Sequence, residues 1–100
     1  METATLEVND NEFLRQFEAR FNDTLVTIEY SVHPRNIFLT KLIMDEALVE
    51  KGYDTLFMVA LFDYFKKNNL KVVPTASKIV SFFRKNRKEY KELLPVGISI

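Results

Sequence analysis

Two segments near the start of the chain alternate between apolar and polar residues. Every second residue from 13 to 21 shares one face, and three of these are phenylalanines. The alternation returns over residues 25–32, after the turn-forming pair Asn22-Asp23. A period of two with aromatic residues is typical of a half-buried strand. The pattern therefore predicts a β-hairpin.

A third strand is predicted directly after this hairpin. Pro34, in the tetrapeptide His33-Pro34-Arg35-Asn36, cannot donate to a ladder of backbone hydrogen bonds and indicates a turn. Residues 37–44 are more continuously apolar than the first two strands, which is typical of a strand inside a sheet. His33 beside the proline is interpreted as a surface turn residue rather than a catalytic base.

The apolar spacing changes to the helical period in the second half of the chain. The predicted elements are a helix over residues 56–68 capped by Asp54 or Thr55, a strand over residues 70–73 closed by Pro74, and a helix from Thr75 or Ser77 to about Arg87. A strand, helix, strand crossover requires a parallel pair and a right-handed connection. The prediction is an α+β fold of order βββαβα, with antiparallel N-terminal strands and one parallel crossover in a mixed sheet.

The domain boundary is predicted from composition. Residues 1–12 are rich in Glu, Asp and Asn and are interpreted as a flexible N-terminus, and residues 13–100 as a single domain. Towards the end, Tyr90, Leu93 and Leu94 are expected to pack back on the body, before a turn at Pro95-Val96-Gly97.

Composition excludes several kinds of chemistry. The 100 residues include no cysteine and one histidine, so a disulfide scaffold, a thiolate zinc site and a cysteine nucleophile are excluded, and we expect no metal site. There is no apolar run of about 20 residues, and the acidic start lacks the pattern of a signal peptide. We therefore expect a cytoplasmic protein with no membrane association.

The formal net charge of zero hides an uneven distribution. Residues 1–50 carry four basic and ten acidic side chains, whereas residues 51–100 carry ten basic and four acidic ones. Between Lys66 and Lys91, nine cations accompany a single acid, Glu89. Two interpretations stay open: solvated faces of two helices, or a site for an anionic ligand such as a phosphorylated cofactor or nucleic acid.

Three motifs lie between Val49 and Tyr90 at spacings that match a known family without an alignment gap. They are Val49-Glu50-Lys51-Gly52-Tyr53-Asp54 before a helix, Leu70-Lys71-Val72-Val73-Pro74 after it, and Lys88-Glu89-Tyr90 near the end. Together with the βββαβα order, residues 39–94 resemble the small single-domain members of the GNAT superfamily of N-acetyltransferases. The resemblance implies a GNAT-like fold, acetyl-CoA or CoA as the cofactor and a small amine as the acceptor.

The resemblance also implies where the cofactor binds. Backbone N–H groups at a helix start, helped by the helix dipole, hold a pyrophosphate. The residues assigned to cofactor binding are Met44, Lys51, Gly52, Tyr53, Asp54 and Thr55. Of the family's loop pattern only Gly52 remains, because Val49 replaces a Gln or Arg and Asp54 replaces a small residue. A carboxylate at the N-cap would repel the phosphate by roughly 3 kcal/mol, so weak binding at a degenerate loop is expected.

No catalytic residue is assigned. Small GNAT proteins often carry a His and a Glu on the third strand and a Cys after Val-Val-Pro, but the matching residues here are Lys41, Ile43 and Ala76. What remains for acetyl transfer are the backbone donors of residues 42–44 and three side chains that could exchange a proton. These side chains are Asp45, Glu46 and Tyr90.

Three functions are carried forward. The leading one is a GNAT-like domain with a degenerate acetyl-CoA site, which binds CoA weakly or serves as a structural or interaction module. The alternative is an active small N-acetyltransferase. The third is nucleic-acid binding through the basic helix of residues 78–91, but its aromatic residues are expected to be buried rather than free to stack on bases. Nucleic acid is therefore not the expected partner, and oligomeric state and acceptor stay open.

Overall fold

A five-stranded mixed sheet forms the frame of the molecule. The structure is a computed structural model that describes residues 6–21, 23–34, 36–98 and 100. The strands are β1 Asn9–Asn11, β2 Gln16–Phe21, β3 Thr24–Val32, β4 Ile37–Ile43 and β5 Val72–Pro74, and they lie in this order across the sheet. Only β4 and β5 are parallel. The predicted α+β fold with one parallel crossover is confirmed.

The helices all follow the antiparallel part of the sheet. They are α1 Glu46–Glu50, α2 Tyr53–Lys67, α3 Ser77–Lys85 and α4 Arg87–Tyr90, with a 3-10 turn over Lys91–Leu93. The crossover from β4 to β5 contains α1 as well as α2, and α1 was not predicted because five residues are too few for a helical period to show. None of the helices within the described ranges is long and apolar enough to cross a membrane.

The first predicted strand begins later than its pattern suggests. The side chain of Asn11 accepts a hydrogen bond from the amide of Leu14 at 3.0 Å, and Arg15 adopts a left-handed backbone with φ 56°. These two features form a turn, so β2 starts at Gln16 and Phe13, at 92% exposure, does not join the core. The alternation of apolar residues extended through a turn that the period alone does not reveal.

Strand β1 was not predicted either, because it lies inside the segment interpreted as a flexible end. Its residues pair with β2, with Asp10 opposite Phe17. The Tyr30 hydroxyl donates to Asp10 Oδ1 at 2.6 Å, and Leu6 and Val8 pack against the core. Polar composition concealed a strand that is held by backbone pairing and by side-chain hydrogen bonds, including the one that Asn11 Nδ2 donates to Glu18 Oε2 at 2.8 Å. Of the predicted turns, Asn22 and Arg35 lie outside the described residues.

Aromatic side chains join the sheet to the helices. Phe62 on α2 contacts Phe82 and Tyr90 with ring centroids 5.3 and 5.1 Å apart, and Phe65 contacts Phe17 of β2 at 5.2 Å. Burying each phenylalanine contributes about 1.5–3 kcal/mol. Helix α2 therefore connects the hairpin on one side to α3 and α4 on the other. The fully buried phenylalanines are Phe17, Phe57, Phe62, Phe65 and Phe83.

The C-terminal residues pack as predicted. Tyr90 and Leu93 are 4% exposed, and Leu94 packs against the core. The amide of Ile98 donates to the Pro95 carbonyl oxygen at 3.1 Å, which closes the predicted turn. The end of the chain therefore covers the core beside α3 and α4.

Candidate functional site

The start of α2 is the first part of the candidate site. Gly52 is the residue before the helix, with φ 83° and ψ 12°, a left-handed conformation that glycine adopts without steric cost. Among the described residues, no side chain caps the start of this helix. The prediction that Asp54 or Thr55 caps the helix is wrong, because α2 begins at Tyr53 and places both residues inside its first turn.

Gly52 makes this start by joining two helices at a sharp corner. The amides of Lys51 and Gly52 donate to the carbonyl oxygens of Leu48 and Val49 at 3.1 and 2.9 Å, which ends α1. The positive φ of Gly52 then redirects the chain into α2. A Cβ added at Gly52 would meet no atom within 4 Å, so the position needs glycine for its backbone conformation and not for space.

The first turn of α2 presents backbone donors. The amide of Leu56 bonds to the Gly52 carbonyl at 3.4 Å, so the three preceding amides, of residues 53–55, lie ahead of the first helical hydrogen bond. Among the described residues, no side chain accepts from them. These amides and the dipole of a 15-residue helix favour an anion.

The side chains near these amides carry both signs of charge. Lys51 is exposed, and Asp54 and Tyr53 are half-buried. The Tyr53 ring stacks on Phe21 with centroids 4.7 Å apart and planes 5° apart, which holds the first residue of α2 against the end of β2. The carboxylate of Asp54 stabilises the helix through its dipole but opposes a second anion at the same turn.

The open edge of β4 is the second part of the site. Strand β5 pairs with β4 only from Ile37 to Leu39. Beyond Leu39, no strand of the described residues pairs with that side of β4. The last residues of β4 therefore border an opening on the side of the sheet where β5 departs.

A β-bulge determines which backbone groups face this opening. On β3, Ile28 and Tyr30 are two residues apart, but their partners on β4, Leu42 and Leu39, are three apart. Thr40 is the extra residue, and its hydroxyl donates to the Glu29 carbonyl oxygen at 3.1 Å. Backbone groups alternate sides along a strand. Because Leu39 faces β5, the bulge makes Leu42 the next residue whose N–H and C=O point towards the opening.

Three hydrogen bonds to one carbonyl oxygen fix the point where β5 separates from β4. The Leu39 carbonyl oxygen accepts from the amide and the hydroxyl of Thr75, both at 2.9 Å, and from the amide of Ala76 at 3.3 Å. This arrangement ends the parallel pairing directly after Pro74. The carboxyl ends of two parallel strands with a helix start between them are where ligands bind in α/β units.

The candidate proton-transfer groups are not all at this opening. The three positions matched to catalytic residues are Lys41, which is exposed, Ile43, which is 42% exposed, and Ala76, which is half-buried. Because these residues replace the His, Glu and Cys of the family pattern, they offer no suitable group. Asp45 and Glu46 are exposed at the start of α1. The structure therefore leaves only these two carboxylates of the candidates near the end of β4.

Tyr90 lies elsewhere. Its hydroxyl donates to Asp63 Oδ1 at 3.3 Å, and burial, with the negative charge of Asp63, raises the pKa of Tyr90 to about 12. Lys66 Nζ lies over the Tyr90 ring, 5.7 Å from its centroid. Because Lys66 comes thirteen residues after Tyr53 on α2, this contact is about 20 Å along the helix from the start of α2. Tyr90 is a packing residue at the far end of α2 and not part of the opening.

Two residues of the site were missed from the sequence. Thr40 and Thr75 set the bulge and the departure of β5, but a threonine in or after a strand has no signature of this role. Met44 packs against the core with Leu42, so it contributes backbone rather than a side chain to the opening. Of the nine cations of residues 66–91, Lys78 is the first one after the end of β5, and it lies in the first turn of α3.

Comparisons with known proteins agree with this fold. Residues 16–93 match the family model described as GCN5-related N-acetyl-transferase. The chain is also similar to the NMR solution structure of a GCN5-like protein from Staphylococcus aureus, with 22% identity, a TM-score of 0.59, and coverage of 97% of this chain and 94% of the other. Curated proteins yield no match. At this identity the structural likeness supports the fold alone.

Proposed function

The chain belongs to the GCN5-related N-acetyltransferase family, and from this premise we propose that it binds acetyl-CoA weakly and transfers its acetyl group slowly to an amine. The binding site is the start of α2 together with the open edge of β4. Acetyl-CoA supplies an acetyl group already activated as a thioester. The amine class of the acceptor rests on family membership.

The observation that carries the proposal is the uncapped start of α2, which follows the end of β4 in the chain after the short helix α1. Gly52 adopts the left-handed conformation without a side chain, and the amides of residues 53–55 donate to no internal partner among the described residues. Backbone donors at a helix start suit a pyrophosphate. The residues present therefore fit the diphosphate of CoA better than the sequence predicted, since no carboxylate occupies the N-cap.

Two features make the binding weak. Asp54 brings a negative charge into the same turn, and two like charges a few ångströms apart at a partly solvated surface oppose each other by about 1–3 kcal/mol. Val49 cannot donate to a phosphate where the family pattern has Gln or Arg. Lys51, exposed at the corner, offsets part of the loss. The proposal is a reduced affinity and not an absent site.

Slow transfer follows from the side chains available. The Leu42 N–H, on the open edge, would donate to the acyl oxygen of the thioester and stabilise negative charge there while the amine displaces the CoA thiolate. Asp45 and Glu46, the candidate side chains near the end of β4, are both exposed to solvent. The acceptor amine therefore loses its proton to solvent, and we expect the rate to rise with pH until the amine itself is deprotonated.

Amide chemical shifts test the site directly. Titrating acetyl-CoA into the ¹⁵N-labelled chain is expected to move the amide signals of residues 42–44 and 52–56 in a saturable way. Titration with inorganic pyrophosphate is expected to move only the second group. Shifts confined to other regions, or none at millimolar acetyl-CoA, would contradict the proposal.

A further inference from the structure

The corner between α3 and α4 gathers positive charge. Asn86 ends α3, with its amide 3.2 Å from the Phe82 carbonyl oxygen and its side-chain Nδ2 2.9 Å from the same oxygen. Helix α4 begins at the next residue. The cations on both sides of this corner therefore line one depression of about 550 Å³. We name it the basic depression, and its cations are Arg84, Lys85, Arg87, Lys88 and Lys91.

These cations are not neutralised by neighbouring acids. Within the described ranges, the one side-chain ion pair joins Lys66 to Glu89 at 3.5 Å. Glu89 is also the single acid that lines the basic depression, so its charge is already shared with a cation outside it. Arg87 donates to the backbone oxygen of Ile100. Five exposed cations with no acid pairing them repel one another, and a polyanion relieves that repulsion.

The basic depression is separate from the acetyl-CoA site. Lys66, which pairs with Glu89 of α4, lies in the last turn of α2. The start of α2 is about 20 Å away along the helix axis. A diphosphate held at Gly52 therefore does not occupy the corner between α3 and α4, and the two sites are open to independent tests.

We propose that the basic depression binds the phosphate backbone of double-stranded nucleic acid without regard to sequence. Phe82, Phe83 and Tyr90 are 6%, 0% and 4% exposed, so these aromatic side chains offer no surface for stacking on unpaired bases, on which single-strand binding relies. The burial of these aromatic residues argues against base stacking, but the cations of the basic depression remain exposed and can contact phosphates.

The number of cations limits the salt dependence. Each phosphate neutralised on duplex DNA contributes about −0.9 to the slope of log K against log salt concentration. Three to five contacts give a slope between about −3 and −4.5. Because the whole chain has zero net charge, a slope of this size requires contacts made by one local surface.

Fluorescence anisotropy with a labelled 20-base-pair DNA duplex tests the proposal. The full chain is titrated at about 50, 100 and 200 mM NaCl, with an expected Kd of roughly 1–100 µM at the lowest salt. The double variant Arg84→Gln/Lys88→Gln is expected to bind at least about tenfold more weakly and to have a slope shallower by about 2. Circular dichroism and thermal unfolding confirm that each variant is folded.

A matched control separates local contacts from net charge. Arg15→Gln/Arg20→Gln also removes two positive charges, from exposed positions on the first hairpin. Its affinity for the duplex is expected to stay within about twofold of the wild-type value. Saturating acetyl-CoA is expected to leave duplex binding unchanged, whether or not acetyl-CoA itself binds, which keeps this proposal independent of the first.

Five results would overturn the proposal. The first three are no duplex binding at the lowest salt with about 200 µM protein, equal losses of affinity in the two double variants, and tighter binding of a single strand than of the duplex. The fourth is competition by polyglutamate that equals competition by unlabelled duplex, which would identify an acidic protein as the partner. The fifth is binding to phosphatidylserine vesicles without binding to duplex, which would identify a membrane.

Discussion

The two ends of helix α2 are built in opposite ways. At its end, the backbone and side-chain nitrogens of Asn68 donate to the Tyr64 carbonyl oxygen at 3.1 and 2.8 Å, and the amide of Leu70 donates to Phe65 at 3.0 Å. At its start, Gly52 provides no side chain and no cap forms. One helix is thus closed by its own chain at one end and left available at the other.

The difference shows where stability and function are located. Side-chain capping of a helix start contributes about 1 kcal/mol, and this helix does without it. The far end, in contrast, carries the aromatic contacts of Phe62, Phe65 and Tyr90. The amides of the first turn of α2, which have no internal partner among the described residues, lie at the proposed cofactor site, and the aromatic contacts of Phe62, Phe65 and Tyr90 lie away from it.

The largest expected effect concerns the packed end. Phe62→Ala removes a fully buried ring that contacts four other aromatic residues, and we expect a loss of about 3–5 kcal/mol in the free energy of unfolding. Urea unfolding followed by circular dichroism measures it. Phe13→Ala, at an exposed ring, is the control and is expected to change stability by less than about 0.5 kcal/mol. A loss below about 1 kcal/mol for Phe62→Ala would show that the far end is not the packed one.

The next effect separates stability from binding. Gly52 and Gly97 both have positive φ, at 83° and 89°, and neither position has an atom within 4 Å of an added Cβ. Replacing either by alanine is expected to cost about 1–2 kcal/mol of stability through the left-handed backbone alone. Only Gly52→Ala is expected to weaken acetyl-CoA binding, as measured by calorimetric titration. Equal affinities in the two variants would remove Gly52 from the site.

A smaller effect depends on pH. Burial and the charge of Asp63 raise the pKa of Tyr90 to about 12, above the usual tyrosine value near 10. The unfolded chain therefore releases this proton at a lower pH than the folded one, and the contribution of Tyr90 to stability, complete below about pH 10, is lost between about pH 10 and 12. In Tyr90→Phe the fall in stability over this interval is expected to be shallower, as measured by urea unfolding at several pH values. An unchanged slope would contradict the burial of Tyr90.

The fold was largely readable from the sequence, whereas the details of the site were not. The second strand and the two long helices were predicted from periodic patterns and the third strand from a continuous apolar run, and the structure confirms these elements and the parallel crossover. Strand β1 and the turn before Gln16 depend on side-chain hydrogen bonds that no period records. Asp10 accepts from the Tyr30 hydroxyl, and Asn11 accepts from the Leu14 amide and donates to Glu18.

The start of α2 was misplaced for a related physical reason. Asp54 is a good N-cap residue by type, but the left-handed Gly52 starts the helix two residues earlier. The bulge at Thr40 depends on the register between two strands, which a single strand's sequence does not specify. Local residue preference therefore predicted the elements, and tertiary contacts determined which of their polar groups remain available.

Calorimetric titration of acetyl-CoA into the wild-type chain and Asp54→Asn tests the central claim most directly. We expect weak wild-type binding, with a Kd of about 0.1–1 mM, and about tenfold tighter binding by Asp54→Asn, which corresponds to about 1.4 kcal/mol. Glu92→Gln, which removes one exposed acid far from the start of α2, is expected to match the wild type. If no heat of binding is measured for any of the three proteins at millimolar acetyl-CoA, the start of α2 does not hold this cofactor.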